Sequence, residues 1–333
     1  MRPSVLVTRL LPEKGMDMLR ERFVLAVNPD DRVMTREEII GEMKDKDGLL
    51  CLLTDTIDGA IMDGSSKLRI ISNYAVGYNN IDVNAATKRG IMVTNTPGVL
   101  TETTADFAFS LLMAIARRLP ESERLARAGQ FKGWGPMFML GDDVYGKTLG
   151  MVGMGRIGKV MARRASGFDM TVIYHSAHRL PEEEETGLRA SFVSFEELLG
   201  RSDFISIHVP LSESTHHLFG EKEFAMMKKD SYLINTSRGP VVDEKALVRA
   251  LEKGMLKGAA LDVYEKEPAM EPGLLKLENV ILAPHVASAT IETRTRMAVM
   301  AAENLIAAME GRVPPFLVNR EVGTMDRADL PLA

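Results

Sequence analysis

The chain of 333 residues carries 45% hydrophobic and 26% charged side chains and a formal net charge of −5. That length accommodates two domains with separate cores. The acidic balance, without any basic run, argues against nucleic-acid binding, and no stretch approaches the roughly 20 apolar residues that span a bilayer. Cys51 is the single cysteine, which excludes an intrachain disulfide and fits a reducing, cytoplasmic setting.

The opening Met-Arg-Pro-Ser-Val-Leu-Val-Thr-Arg has a short apolar core and reads as a first strand rather than a signal peptide. Strands are expected at 5–8, 23–27, 48–52, 69–72 and 91–93, with helical or polar segments between them. That alternation predicts a parallel sheet with crossover helices. A helix over 101–118 follows, with Ala105, Phe107, Ala108, Phe109, Leu111, Leu112, Met113 and Ile115 wrapping most of its circumference. A helix apolar nearly all round is buried on several sides, so this one is expected to serve a subunit interface as well as an internal core.

The second region opens with Thr-Leu-Gly-Met-Val-Gly-Met-Gly-Arg-Ile-Gly over 148–158. It reads as a buried strand running into a G-x-G-x-x-G turn and then a helix, a dinucleotide pyrophosphate cradle. Gly153 permits the sharp turn, Gly155 lets phosphate oxygens approach the backbone, and Gly158 lets the helix pack closely on the strand. The N–H groups at the helix start complete the anion site, so Met154, Arg156 and Ile157 are counted with the glycines as cofactor-binding. The next strand, 171–175, ends in Ser176-Ala177-His178-Arg179, where a NAD-specific unit would place an acidic residue on the ribose 2′-hydroxyl. A carboxylate would repel a 2′-phosphate, whereas Ser176, His178 and Arg179 offer hydrogen bonds and positive charge. NADP(H) is therefore expected in preference to NAD(H).

The four glutamates at 182–185 are expected to form a solvated loop or helix start without a binding role. Ser194 and Glu197 are spaced as a capping box, and Asp243 and Gly254 as the start and stop of a helix over 244–252. Further strands are expected at 204–208, 232–235, 259–263 and 280–283, then a helix over 291–310. The tail 313–319 offers a return to the first region, which would make that domain discontinuous, and a loose terminus is expected from about residue 323.

Three strand ends carry unusual polar residues: Asn235-Thr236-Ser237-Arg238-Gly239-Pro240, Leu261-Asp262-Val263-Tyr264-Glu265-Lys266-Glu267-Pro268 and Ala283-Pro284-His285-Val286-Ala287-Ser288. The carboxyl ends of parallel strands are where an open α/β sheet binds ligands. An arginine, a carboxylate and a histidine suit reduction of a 2-oxo acid. The planar guanidinium can hold a carboxylate and polarise a carbonyl. The imidazole can donate a proton near neutral pH, and an adjacent glutamate favours its protonated form.

Together these segments resemble the D-isomer-specific 2-hydroxyacid dehydrogenases over nearly the whole length. The likeness rests on Gly153–Gly158 as a G-x-G-x-x-G turn, on segments 236–244 and 262–268, and on Pro284-His285 followed by Ser288-Ala289-Thr290. Segment 73–82 (Asn-Tyr-Ala-Val-Gly-Tyr-Asn-Asn-Ile-Asp) and the tail 314–319 are similar to those of the glyoxylate/hydroxypyruvate reductases of that family.

The resemblance implies an α/β fold of two domains. A flavodoxin-like, discontinuous substrate domain would take 1–100 and 287–322, and a Rossmann-like coenzyme domain 101–286. It implies Arg238 as the substrate-orienting arginine, His285 as the acid/base and Glu267 as its partner. Asp262 would contact the nicotinamide carboxamide, while Thr104 and the Ser237-Arg238-Gly239 backbone would line the cofactor. The N–H groups of Val76 and Gly77 would hold the substrate carboxylate, with Leu53 nearby. The implied reaction is reversible hydride transfer between NADPH and C2 of glyoxylate or hydroxypyruvate. Phosphoglycerate or phosphonate dehydrogenation and a nicotinamide-sensing corepressor are the alternatives; phosphonate dehydrogenases carry a lysine where Val76 stands. Two departures are visible: Ala287 where the family commonly has glycine, and Ser176 in place of an acidic residue.

Overall fold

The computed structural model describes residues 2–324. The chain divides into two compact units, one formed by the chain up to Leu100 and from Ala289 onward, the other by Thr101–Ser288. A 3₁₀ turn at Arg320–Thr324 closes the described part, and the loose terminus expected after it lies outside the described residues.

The first unit holds β1 (Ser4–Val7), β2 (Val24–Val27), β3 (Gly48–Cys51), β4 (Ile70–Asn73) and β5 (Met92–Thr94), all parallel, in the order β2-β1-β3-β4-β5. This is flavodoxin-like winding. The strands are nearly continuous apolar runs because both faces are covered. Val5, Val7, Leu50 and Ile70 join one core with Met16, Leu19, Ala301 and Leu305. Their neighbours Leu6, Leu49, Cys51 and Ile71 join another with Ile39, Met43 and Ile61. Successive strand residues point to opposite faces, so each strand feeds two cores. The late helix Ile291–Met309 belongs to the first of these cores, and its N-cap Thr290 accepts the Thr293 N–H. The tail beyond it reaches β5: the Val318 N–H donates to Val93 O at 2.8 Å, and the Asn319 side chain accepts the Val93 N–H at 2.8 Å.

The second unit holds β6 (Thr148–Val152), β7 (Thr171–His175), β8 (Ala190–Phe192), β9 (Phe204–Ile207), β10 (Tyr232–Asn235), β11 (Gly258–Leu261) and β12 (Val280–Leu282). All are parallel, in the order β12-β11-β10-β9-β6-β7-β8. The order reverses at β6, the switch point where a Rossmann sheet binds its ligand. Leu149, Met151, Phe204, Tyr232 and Ile234 face one core, and Val152, Ile205, Ile207, Leu233 and Leu261 the other. The strand β8 was not anticipated. It is three residues long and lies at the sheet edge, too short for its Ala-Ser-Phe alternation to announce a strand.

The joining helix spans Thr101–Ala116, two residues shorter than expected. Arg118 adopts a left-handed conformation (φ 51°) and starts a second helix, Leu119–Arg127. Ala105, Ala108, Phe109, Leu112 and Ile115 are spent in the core of their own unit. At the helix Phe195–Arg201 only half of the expected box forms. Ser194 Oγ accepts the Glu197 N–H at 3.1 Å, but the Glu197 carboxylate pairs with Arg201 one turn on, where a full charge competes with a backbone amide. Asp243 caps Glu244–Glu252 by accepting the Ala246 N–H at 2.9 Å, and Gly254 ends that helix at φ 63°.

Candidate active site

The glycine turn follows β6. Gly153 has φ 97°, and a Cβ there would lie 2.7 Å from the His208 carbonyl oxygen. A Cβ on Gly158 would lie 2.3 Å from the Gly153 carbonyl, so the helix Arg156–Ser166 sits as close to the strand end as backbone allows. At Gly155, by contrast, a Cβ would meet nothing, and no side chain caps the helix start. The Thr236 hydroxyl, at the end of β10, is buried without a hydrogen-bond partner in the protein. An open glycine at an uncapped helix N-terminus and an orphaned hydroxyl suit a dinucleotide's pyrophosphate and amide groups. Beneath the turn, burial holds the His208 imidazole at about 4, hence neutral, with Ser206 Oγ 2.8 Å from Nε2.

At the end of β7, Ser176 is half-buried and His178 and Arg179 are exposed. Arg179 is engaged: Nε and Nη2 donate to the two oxygens of Glu185 at 3.0 and 2.8 Å. Glu185 also accepts the Tyr174 hydroxyl at 2.5 Å, and Tyr174 in turn accepts the Leu180 N–H. This corrects the reading of 182–185 as solvated. The run does start a helix, Glu182–Leu188, but Glu185 turns inward and is buried. Arg179, and next the Tyr174 hydroxyl, hold its carboxyl at about 2. Burial disfavours a carboxylate unless charge and donors are supplied, and partners 6 and 11 residues back in the chain do not show in a row of four glutamates.

The loop after β10 is wound on Asn235, whose Oδ1 accepts the Ser237 N–H at 3.0 Å and Oγ–H at 2.9 Å, while Nδ2 donates to Arg238 O at 3.0 Å. Arg238 Nη1 donates to Ser237 O at 2.7 Å. Burial lowers the Arg238 pKa from its ordinary value, and the Glu267 charge opposes that shift. A Cβ on Gly239 would sit 1.8 Å from the Tyr264 carbonyl carbon, so the arginine loop lies directly on the Tyr264–Glu265 backbone.

After β11, Asp262 is fully buried and accepts the Val286 and Ala287 N–H groups, both at 2.8 Å. Burial raises its pKa despite these donors. Both oxygens thus grip the backbone just past His285, which adopts a left-handed conformation at φ 55°. Glu267 Oε1 accepts the Tyr264 N–H at 3.0 Å, and its Oε2 lies 2.7 Å from His285 Nδ1. Burial disfavours the Glu267 carboxylate, but His285, the Tyr264 amide and Arg238 together keep its pKa below the ordinary value. A carboxylate only accepts, so Nδ1 carries the hydrogen of that bond and Nε2 remains for proton exchange.

Thr104 lies on the buried face of the helix Thr101–Ala116. In the other unit, Leu53 follows β3 and is half-buried. The loop after β4 has its carbonyls held from within: Ala75 O accepts the Thr96 N–H at 2.9 Å, and Val76 O accepts Asn95 Nδ2 at 2.7 Å. A trans peptide points its N–H opposite its carbonyl, so the Val76 and Gly77 N–H groups face away from Asn95 and Thr96. Asn73 and Asn80 brace the same loop, Asn73 Nδ2 donating to Gly77 O at 2.8 Å. Among the described residues, no group of histidine, cysteine or carboxylate side chains could hold a metal ion, and no helix is long and apolar enough to cross a membrane.

Residues 109–287 match the family model of the D-isomer specific 2-hydroxyacid dehydrogenase NAD binding domain. The chain belongs to the D-isomer specific 2-hydroxyacid dehydrogenase family. The dehydrogenase is 56% identical to a glyoxylate reductase of Korarchaeum cryptofilum over 97% of each chain. It is 51% identical to a glyoxylate reductase of Thermococcus gammatolerans, again over 97% of each. Among solved structures it is similar to an NADPH-dependent glyoxylate/hydroxypyruvate reductase from Sinorhizobium meliloti in complex with NADP and malonate, with a TM-score of 0.85 and 34% identity over 98% of this chain and 99% of that one. This dehydrogenase is thus an oxidoreductase whose Rossmann unit takes a nicotinamide cofactor.

Proposed function

We propose that this dehydrogenase reduces a small 2-oxo acid, glyoxylate or hydroxypyruvate, to the 2-hydroxy acid, with NADP(H) preferred over NAD(H). The observation that carries the reading is the Glu267–His285 pair at 2.7 Å, with the Arg238 loop locked onto the segment that bears Glu267. A bound reduced nicotinamide supplies the hydride to C2. Gly153–Gly158 and Thr236 hold that cofactor, with Thr104, Ser237, Gly239 and Asp262 along it. Arg238 orients the substrate and stabilises the charge developing on its carbonyl oxygen. His285 gives that oxygen its proton from Nε2, while Glu267 fixes the ring and favours the imidazolium. Leu53, Val76 and Gly77 are the substrate contacts proposed for the other unit, where two outward N–H groups suit a carboxylate.

The cofactor preference rests on the end of β7, where Ser176, His178 and Arg179 stand in place of an acidic residue. Arg179 contributes the part of its fork that Glu185 leaves unused. For assembly the reading is a homodimer. A cluster of exposed apolar side chains lies beyond the joining helix, at Phe131, Trp134, Met137, Leu140 and Tyr145, with Trp134 86% and Met137 79% exposed. So much apolar surface in one segment marks an interface.

The deciding experiment follows nicotinamide absorbance with a panel of 2-oxo acids, each run with NADPH and with NADH. Oxidation with glyoxylate or hydroxypyruvate, faster with NADPH, is expected. Faster oxidation with NADH would overturn the cofactor preference alone, and no turnover of any acid would overturn the reaction.

A further inference from the structure

Glu267 sits on a loop between β11 and β12, and the shoulders of that loop are tied to one buried side chain. Glu244, the first residue of the helix Glu244–Glu252, is 6% exposed. Its Oε1 accepts the Glu265 N–H at 2.6 Å and its Oε2 accepts the Glu271 N–H at 3.1 Å. The bond is returned: Glu265 Oε1 accepts the Glu244 N–H at 2.8 Å. Glu265 Oε2 lies 3.3 Å from His217 Nε2, and His217 is itself held by its N–H on Pro240 O at 2.8 Å. Two segments, those bearing Glu244 and His217, thus converge on the loop, while Gly239 presses on it from the arginine loop.

A buried carboxylate is costly unless its oxygens are occupied by donors. Burial raises the Glu244 pKa, the two amides pull it down, and the facing Glu265 and Glu271 add to the rise. Local helix capping does not need this arrangement, because Asp243 already caps the helix. Glu244 instead spends both oxygens on amides 21 and 27 residues away, on either side of Glu267.

We propose that Glu244 is a positioning residue which, by clamping both shoulders of the 265–271 loop, sets the Glu267 carboxylate against His285 Nδ1. This rests on reading Glu267 and His285 as the acid/base pair. Glu244 touches neither substrate nor cofactor in this role. It acts through Glu267, which is faced by His285, Arg238 and Asp262.

The test uses the full chain with Glu244→Gln and Glu244→Ala, and Glu267→Gln as reference. Circular dichroism and NADPH fluorescence titration report folding and cofactor binding. The His285 Nδ1 proton resonance, assigned by its loss in a His285 variant, reports the hydrogen bond itself. In Glu244→Gln we expect NADPH affinity within twofold of wild type, kcat lower by about tenfold to a hundredfold, the cost of misplacing a reacting group by about 1 Å, and the Nδ1 resonance moved towards its position in Glu267→Gln. Wild-type kcat with an unmoved resonance would overturn the proposal. Hydrogen exchange on the unaltered protein decides independently of any variant's folding. Slow exchange at the Glu265 and Glu271 amides supports the clamp, and unprotected amides overturn it. If the wild type reduces no 2-oxo acid, the functional reading fails, while the resonance and the exchange still judge the positioning.

Discussion

A carboxylate earns its effect on a histidine through distance and through its own ionisation. Glu267 meets both conditions, at 2.7 Å from Nδ1 and with its pKa held down against burial. Glu267→Gln keeps the shape and removes the charge. The kcat/KM for reduction should therefore fall by about tenfold or more, with the ring no longer held by an ionised acceptor. Steady-state kinetics with glyoxylate and NADPH measure it, and an unchanged kcat/KM would remove Glu267 from the acid/base pair. The adjacent Asp262 has a structural task that its residue type does not reveal: both its oxygens hold backbone amides that set the turn at His285.

Among the elements, the β7 loop and the helix Glu182–Leu188 behave as one piece because Glu185 ties them through Arg179 and Tyr174. Its folded-state pKa of about 2 lies below the ordinary 4.5. A depressed carboxylate contributes stability that is present above its unfolded pKa and lost as pH falls through its folded one. Glu185→Gln should accordingly be less stable than wild type at neutral pH, and the gap in Tm should close as pH falls from 4.5 towards 2. Melting curves of both proteins across that window check it; a gap that stays constant would show that the carboxylate's charge is not what holds the loop. The glycine turn and the Asp243 cap, by contrast, were legible beforehand, because both are local patterns whose partners lie within a few residues.

For the molecule as a whole, two parallel sheets use nearly all the apolar strands on cores within their own units, and the helix Thr101–Ala116 likewise packs its apolar side chains internally. Exposed apolar side chains cluster in the segment after it. Burying a tryptophan or methionine is worth roughly 1.5–3 kcal/mol each, so replacing both by charges should disrupt a dimer that depends on them. Sedimentation of wild type is expected to give a dimer, and of the Trp134→Asp, Met137→Lys double variant a large monomer fraction. A wild-type monomer, or a double variant that stays dimeric, would refute this assembly.

The sequence by itself determined the α/β class, eleven of the twelve strands and the dinucleotide turn, and it nominated Arg238, Glu267 and His285 as candidates at strand ends. These are carried by periodicity, by glycines and by strand-end polar residues, all of which are local signals. Tertiary structure alone decided which carboxylates are free. Glu185 and Glu244 look no different in sequence from their solvated neighbours, but each is buried and takes up arginine or amide donors that folding brings to it. The short edge strand β8 was decided the same way, by hydrogen bonds to β7 and not by its own three residues. Burial and hydrogen-bond partnership depend on where the chain returns, and that is a property of the folded sheet order, not of spacing along the chain.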